Sequence, residues 1–548
     1  MKKAIATLFV VSLTVFVNAQ TGRHVPTVDE LLTLKTAGAV QISPDAKWIA
    51  YTVGYGDFKT DAFMTQIWLA DVTTGRTFQV TRGDKSASNP RWSSDGMWLA
   101  FTSNRIEDKN QIFAINPLGG EAIQLTKSET SIGNFAWSED GKSIAYLATE
   151  PPPPVSKERK EYMGDFEVVR KEYSFNHIWT FNVSDAFNGP VSGKQRTRKK
   201  EFSVDSFSWS PDGSRIAFSA TLNPDLIQGS TDDVYILNLN DDSVRKIVSQ
   251  PGPDNGPRWS PDGKQIVFST DMGREPSFAL NGKLAIVSAD GGTPRSVTDN
   301  FDENTNLMEW RSDGIYFTAL QKTAAHLFRL DPASGSVTRI TQPDNLMAGS
   351  ASLSRDGQTL AFTASTPTTL NEVFVTNTRN FAPRVLTSMT DQAKNLTLGT
   401  RELVSWKSTD GTEIEGVLIK PANFDATKKY PLLCIIHGGP TGVDRPALLS
   451  PDSRTYPADI WAARGAVILK VNYRGSAGYG EKFRMLNIRN LGVGDAWDVI
   501  SGVDNLIAKG FIDRNRVACM GWRGRLHLGI FDCILRSVCG DLSRCRDL

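Results

Sequence analysis

Two spacings of apolar residues divide this chain. Between residues 42 and about 363, short runs such as Arg215-Ile216-Ala217-Phe218 alternate outward and inward positions, and each follows a tight turn. A period of two marks half-buried strands. From about Arg401 the runs lengthen and lose their alternation, as in YPLLCII (430–436) and AVILKVN (466–472). Continuous apolar runs of that length suit strands covered on both faces of a mostly parallel sheet. GDAWDVISGVDNLIAKG (494–510) has apolar residues at helical spacing and ends at a glycine, and residues 457–465 also read as helix. Strands 404–421 and 516–520 complete an alternating α/β pattern.

The alternating region is a repeat. One phrase recurs as ISPDAKWIAY from Ile42, WSSDGMWLAF from Trp92, WSEDGKSIAY from Trp137, WSPDGSRIAF from Trp209, WSPDGKQIVF from Trp259, WRSDGIYF from Trp310 and LSRDGQTLAF from Leu353. Its aspartates are residues 45, 95, 140, 212, 262, 313 and 356, spaced by 50, 45, 72, 50, 51 and 43. A period near 50 means a propeller or a solenoid. Ser-Pro-Asp-Gly makes a tight turn, because Pro presets φ, Asp bonds its own backbone and Gly takes a positive φ. Those aspartates are therefore turn formers, and the aromatic that opens each phrase is packing core. A hairpin follows most copies, as in IWLADVTTGRTFQVT (67–81). Four strands per copy and seven copies predict an all-β seven-bladed propeller over residues 20–390. The 72-residue spacing marks an insertion around Pro151–Pro154, a stiff extended stretch followed by the charged run SKERKEYMGDFEVVRKEY, which reads as a projecting helix or hairpin or as a solvated loop. Thr27-Val-Asp-Glu30 has capping-box spacing, so a short helix begins there.

Composition narrows the function. Among 548 residues, 61 Lys and Arg balance 60 Asp and Glu for a net charge of +1, which excludes a general polyanion binder. The opening MKKAIATLFVVSLTVFVNAQ has a basic start, an apolar stretch from Ala4 to Val17 and a small-residue cleavage site. It reads as a signal peptide over residues 1–19, so the mature protein is expected to be exported, periplasmic or secreted, without a membrane span. The five cysteines are odd in number, and Cys533, Cys539 and Cys545 crowd the end, so they make no disulfide framework. No metal spacing, phosphate loop or dinucleotide fingerprint is present, so no cofactor and no nucleic-acid partner is expected.

The ordered set of propeller repeats, DGTEIEGVLIKP, HGGP, NYRGSAGYG and RVACMGW resembles the prolyl oligopeptidase family of serine peptidases, nearest its acylaminoacyl-peptidase and bacterial dipeptidyl-peptidase branch. That resemblance implies a propeller capping an α/β-hydrolase domain (391–522), with short peptides as substrates. Such a hydrolase needs a nucleophilic Ser on a strand-to-helix elbow and an oxyanion hole from backbone N–H groups. HGGP fits the early loop that supplies one donor, making Gly439 the oxyanion-hole candidate and His437 a loop-ordering residue. Tyr473 and Arg474 resemble landmarks near the site. Glu275, in REPSFALNGK, is a candidate for holding a substrate amino terminus.

At the elbow the sequence departs from the family. It reads Gly521-Trp522-Arg523-Gly524-Arg525, with Arg523 where the family has its nucleophilic Ser. A guanidinium is always protonated and offers no nucleophilic oxygen. Asp532, Asp541 and His527 are no credible triad partners. Residues 523–548 read as an aberrant tail, expected from a frameshift just after Trp522, with the hydrolase domain truncated and hydrolysis lost. A non-catalytic propeller that binds or scaffolds partners is the alternative expectation.

Overall fold

The computed structural model describes residues 22–151, 154–164, 173–198, 200–449 and 456–521. The signal-peptide reading, Arg523 and the aberrant-tail reading fall outside the described residues.

The described residues between 36 and 385 form seven four-stranded antiparallel units, within 36–79, 87–124, 132–195, 203–246, 254–296, 306–339 and 347–385. The sixth and seventh join through one parallel pairing, Ala325 with Met347. The repeat phrase builds each inner hairpin. In six of the seven copies the Ser hydroxyl donates to the Asp two residues on, and accepts the amide at the start of the second strand. The carboxylates of Asp140, Asp212 and Asp262 sit below the usual range because the Ser hydroxyl bonds them. The sixth copy lacks that Ser, and Asp313 instead accepts Tyr316 Oη at 3.0 Å. The first copy has Ala46 where the others have Gly, and it takes φ 58°.

Each unit shares a hydrophobic core with the next. Ile67 and Leu69 pack with Phe101 and Phe113 across the first junction. Val234 and Ile236 pack with Trp259 and Phe268 across the fourth. The series returns on itself, because Val40, Ile49 and Tyr51 of the first unit share a core with Val373 and Val375 of the seventh. The repeat tryptophans also tie neighbours by hydrogen bonds. The indole N–H of Trp92 donates to Gln41 O, Trp137 to Arg91 O, Trp209 to Ala136 O and Trp259 to Ser208 O, at 3.0–3.3 Å. This arrangement of antiparallel sheets is propeller-like. Replacing Trp209 by Phe should keep the packing and lose one such bond, lowering stability by about 1 kcal/mol in a denaturant titration.

The insertion in the third unit corrects one expectation. A helix runs from Pro154 to Met163, so the start of the charged run takes its helical form and Pro154 opens that helix instead of ending an extended stretch. Proline is tolerated in the first turn, where its missing N–H would have no helical partner. Thr27 caps the helix Val28–Thr33 through a full capping box with Glu30.

A second sheet follows. Its strands are β1 (Thr400–Lys407), β2 (Glu413–Lys420), β3 (Tyr430–Ile436), β4 (Val467–Asn472) and β5 (Ile512–Gly521), in the order β1-β2-β4-β3-β5. The first two pairings are antiparallel and the last two parallel. Helices α1 (Ala458–Ala463), α2 (Glu481–Met485) and α3 (Gly494–Ala508) accompany it. Val499, Val503 and Leu506 of α3 pack on Leu432, Cys434 and Leu469. Cys434 and Cys519, distant in sequence, are in-register neighbours on β3 and β5. The Cys519 thiol beside it, with burial, pushes the Cys434 thiol well above its ordinary range. No helix among the described residues is long and apolar enough to cross a membrane.

Candidate functional site

The parallel strands β4, β3 and β5 point their carboxyl ends the same way, and that edge is where open α/β sheets bind ligands. Ile436, the last residue of β3, is in register with Gly521, the last of β5. A Cβ on Gly521 would stand 2.8 Å from Ile436 O, so only glycine allows the two strand ends this close. The His437-Gly438-Gly439-Pro440 loop therefore starts beside the end of β5. Gly439 has φ 139°, and a Cβ there would meet the amides of Thr441 and Gly442 at 2.5 and 2.6 Å. The loop is thus a tight fold of backbone with Gly439 exposed.

His437 is held on both sides. Its ring stacks on Tyr473, with centroids 4.5 Å apart. Tyr473 Oη donates to His437 O at 2.9 Å, and burial pushes that phenol well above its ordinary range. The Ser476 hydroxyl donates to Tyr473 O at 2.6 Å, so in its 3.1 Å contact with His437 Nε2 the imidazole is the donor. The other ring nitrogen lies 3.1 Å from Gly438 O. Nε2 thus serves the loop after β4, and the neutral ring has no second proton to offer Gly438 O.

Arg474 is spent on architecture. Its backbone N–H and Nε donate to Asp498 Oδ2 at 2.8 and 2.9 Å, and a terminal nitrogen donates to Oδ1 at 2.7 Å. The same guanidinium makes two bonds to Asp410 and one to Ser408 Oγ. It is 2% exposed and Asp498 0%. These bonds fasten the β1–β2 turn, the loop after β4 and helix α3 to one another. The Asp498 and Asp410 carboxylates raise the guanidinium well above its ordinary range, and Arg474 in turn holds Asp410 well below its own.

Sequence spacing gave no sign of a second buried network. Lys470 Nζ pairs with Asp444 at 2.9 Å, and Asn472 bonds Asp444 N, Asp444 O and Tyr479 Oη. Tyr479 Oη donates to Glu415 at 2.9 Å. Glu415 faces Lys322 of the sixth repeat unit at 3.5 Å, which carries the network across the seam. The loop after β4 docks there further: Lys322 N donates to Gly478 O at 2.6 Å and Gly480 N to Glu303 at 3.0 Å. Glu481 makes two bonds to Arg274. Burial pushes the Glu303 carboxyl up to about 7. A cavity of about 1150 Å³ opens along this seam, lined by Glu303, Lys322, Arg401, Glu415 and Tyr479 among others. A Cβ on Gly478 would lie 2.4 Å from Lys322 O. Gly478→Ala should therefore loosen the seam, seen as faster proteolysis of the 386–399 connection in the folded protein.

Glu275 is exposed, and its carboxylate accepts Ser277 N–H at 3.2 Å. The structure does not bring it together with the loop at 437–440 through any bond among the described residues. No group of three or more metal-ligating side chains occurs among the described residues.

The comparisons agree with this fold. The description "Prolyl oligopeptidase family" matches residues 453–523, ending on Arg523. Dipeptidyl-peptidase 5 of Porphyromonas gingivalis is 24% identical over 93% of this chain and 76% of its own length. The uncharacterized peptidase YuxL of Bacillus subtilis is 25% identical over 90% of this chain and 78% of its own. Among solved structures, Pyrococcus horikoshii acylaminoacyl peptidase superposes with a TM-score of 0.74 at 20% identity, covering 91% of this chain and 75% of that one.

Proposed function

We propose that this chain of the prolyl oligopeptidase family is the frame of an exported serine peptidase acting on short peptides, dipeptidyl- or acylaminoacyl-peptidase-like, whose nucleophile position holds Arg523. The carrying observation is the pairing of Ile436 with Gly521, which sets the HGGP loop beside the end of β5. In that frame the Gly439 N–H is one oxyanion donor, aimed where charge develops on a carbonyl under attack. A Ser at position 523 would attack that carbonyl to form an acyl-enzyme, with a histidine shuttling the proton. His437 does not take that part, because its Nε2 is engaged with Ser476 and its ring is stacked on Tyr473. The packing of the first repeat unit on the seventh supports a closed seven-bladed propeller as the cap.

With Arg523 in place the chain should bind peptides without cleaving them. The test is hydrolysis of dipeptidyl and acylaminoacyl chromogenic substrates together with fluorophosphonate labelling. We expect no turnover and no labelled serine; labelling at any serine of this chain would overturn the inactive reading. Arg523 also favours a second reading, a non-catalytic propeller that binds partners. Peptide binding without turnover, at a site that loses affinity on Gly439→Pro, separates the peptidase frame from a scaffold that binds elsewhere.

A further inference from the structure

Two adjoining cavities of about 440 and 520 Å³ open where the inner strands of the repeat units end. This is the ring face remote from the α/β sheet, because that sheet meets the units at Asp302, Glu303 and Lys322, before and beyond those strands. Both cavities are lined by Arg91, Arg258, Arg311 and Arg355, against Glu139 and Glu309. Four guanidinium groups share this lining with two carboxylates, so positive charge stays in excess although Glu309 lies near enough to favour the charged form of Arg258. Arg311 takes Glu309 at 2.6 Å. Arg91 reaches only its own neighbour's carbonyl, Pro90 O at 3.1 Å. Arg258 bonds the carbonyls of Met308 and Pro257, both at 2.9 Å, and Arg355 bonds Ser94 O at 3.4 Å. None of these three meets a carboxylate in an ion pair among the described residues. Arg91 and Arg258 stand close enough to repel: burial, and then the Arg258 charge, bring the Arg91 guanidinium down to about 10.

Like-charged guanidinium groups, half-buried in one opening, repel, and an added anion relieves that repulsion; a planar carboxylate matches their fork geometry. Trp137 lines both cavities and offers an apolar wall beside the charges. We propose that Arg91, Arg258 and Arg355 form an oxyanion-binding site on this remote face, and that it holds the C-terminal carboxylate of a short peptide. That the carboxylate belongs to a peptide rests on the peptidase reading above; that the site takes an oxyanion does not.

Calorimetric titration of the full chain tests both parts, with three probes: inorganic phosphate, a tripeptide with a free C-terminus and the same tripeptide as its C-terminal amide. The free acid should bind saturably, and the amide at least tenfold more weakly. Arg258→Gln should weaken the free acid at least tenfold. Arg355→Gln, at an exposed position, should do so several-fold without disturbing the fold. Equal binding of acid and amide overturns the peptide as source, even where phosphate binding persists and responds to Arg355→Gln. Indifference of all three probes to both substitutions overturns the site itself. Neither result depends on whether any serine is labelled, so the two readings fail separately.

Discussion

Replacing Arg474 with methionine should cost the α/β region about 3–5 kcal/mol, because it strands the fully buried Asp498 carboxylate without its partner. Methionine fills much of the volume, so the loss would come from the charge and the hydrogen bonds. Three separate pieces, the β1–β2 turn, the loop after β4 and helix α3, would lose the side chain that joins them. Arg474→Lys should recover only part of this, since one ammonium cannot meet both carboxylates in a fork. Asp410→Asn is the control. Its side chain is 36% exposed, so removing that arm should cost only about 0–1 kcal/mol. Denaturant unfolding followed by tryptophan fluorescence measures all three. A methionine variant as stable as the parent would show that the clamp contributes nothing net.

Asp232→Asn should stabilise the protein at alkaline pH and do little in acid. Asp232 is 4% exposed, and its Oδ1 has no partner among the described residues. Burial, then the nearby Asp205 charge, pushes its carboxyl up to about 8, and burial brings Asp254 to about 6. The folded chain therefore keeps a proton that the unfolded chain gives up near 3.8. Stability contributed by this group is whole in acid, falls as pH rises from there, and is gone above about 8. Asparagine has no proton to lose. The gap between variant and parent should open from near zero at pH 4 to roughly 2–5 kcal/mol at pH 9. Thermal or denaturant unfolding at the two pH values checks it, and a gap that does not depend on pH would sink the assignment.

Local chemistry was readable and long-range pairing was not. Ser-x-Asp-Gly declares its turn because every partner lies within five residues. The indole bonds of the same phrase could not be foreseen, since each acceptor is a backbone carbonyl 46 to 73 residues away, which any residue supplies. In the α/β region, continuous apolar runs marked β3 and β4, and a glycine-rich loop after β3 marked the site. Arg474 stood out as a landmark of that site, yet nothing in the spacing of 410, 474 and 498 tells that the three meet. Glu303 was missed for the same reason: an acid in a polar loop becomes unusual only when another part of the chain covers it. Pro154 misled because proline favours both extended chain and the first turn of a helix.

The sharing of a core between the first and seventh units also bears on how the molecule comes apart. An open stack of repeats frays from its ends, because each terminal unit has one neighbour. Here every unit described has two, so damage in any one is felt on both sides and no unit is spared by lying at the rim. A destabilising change at Ile49 and one at Phe218 should then shift the same single unfolding step, and no partly melted array should accumulate between the two ends of that transition.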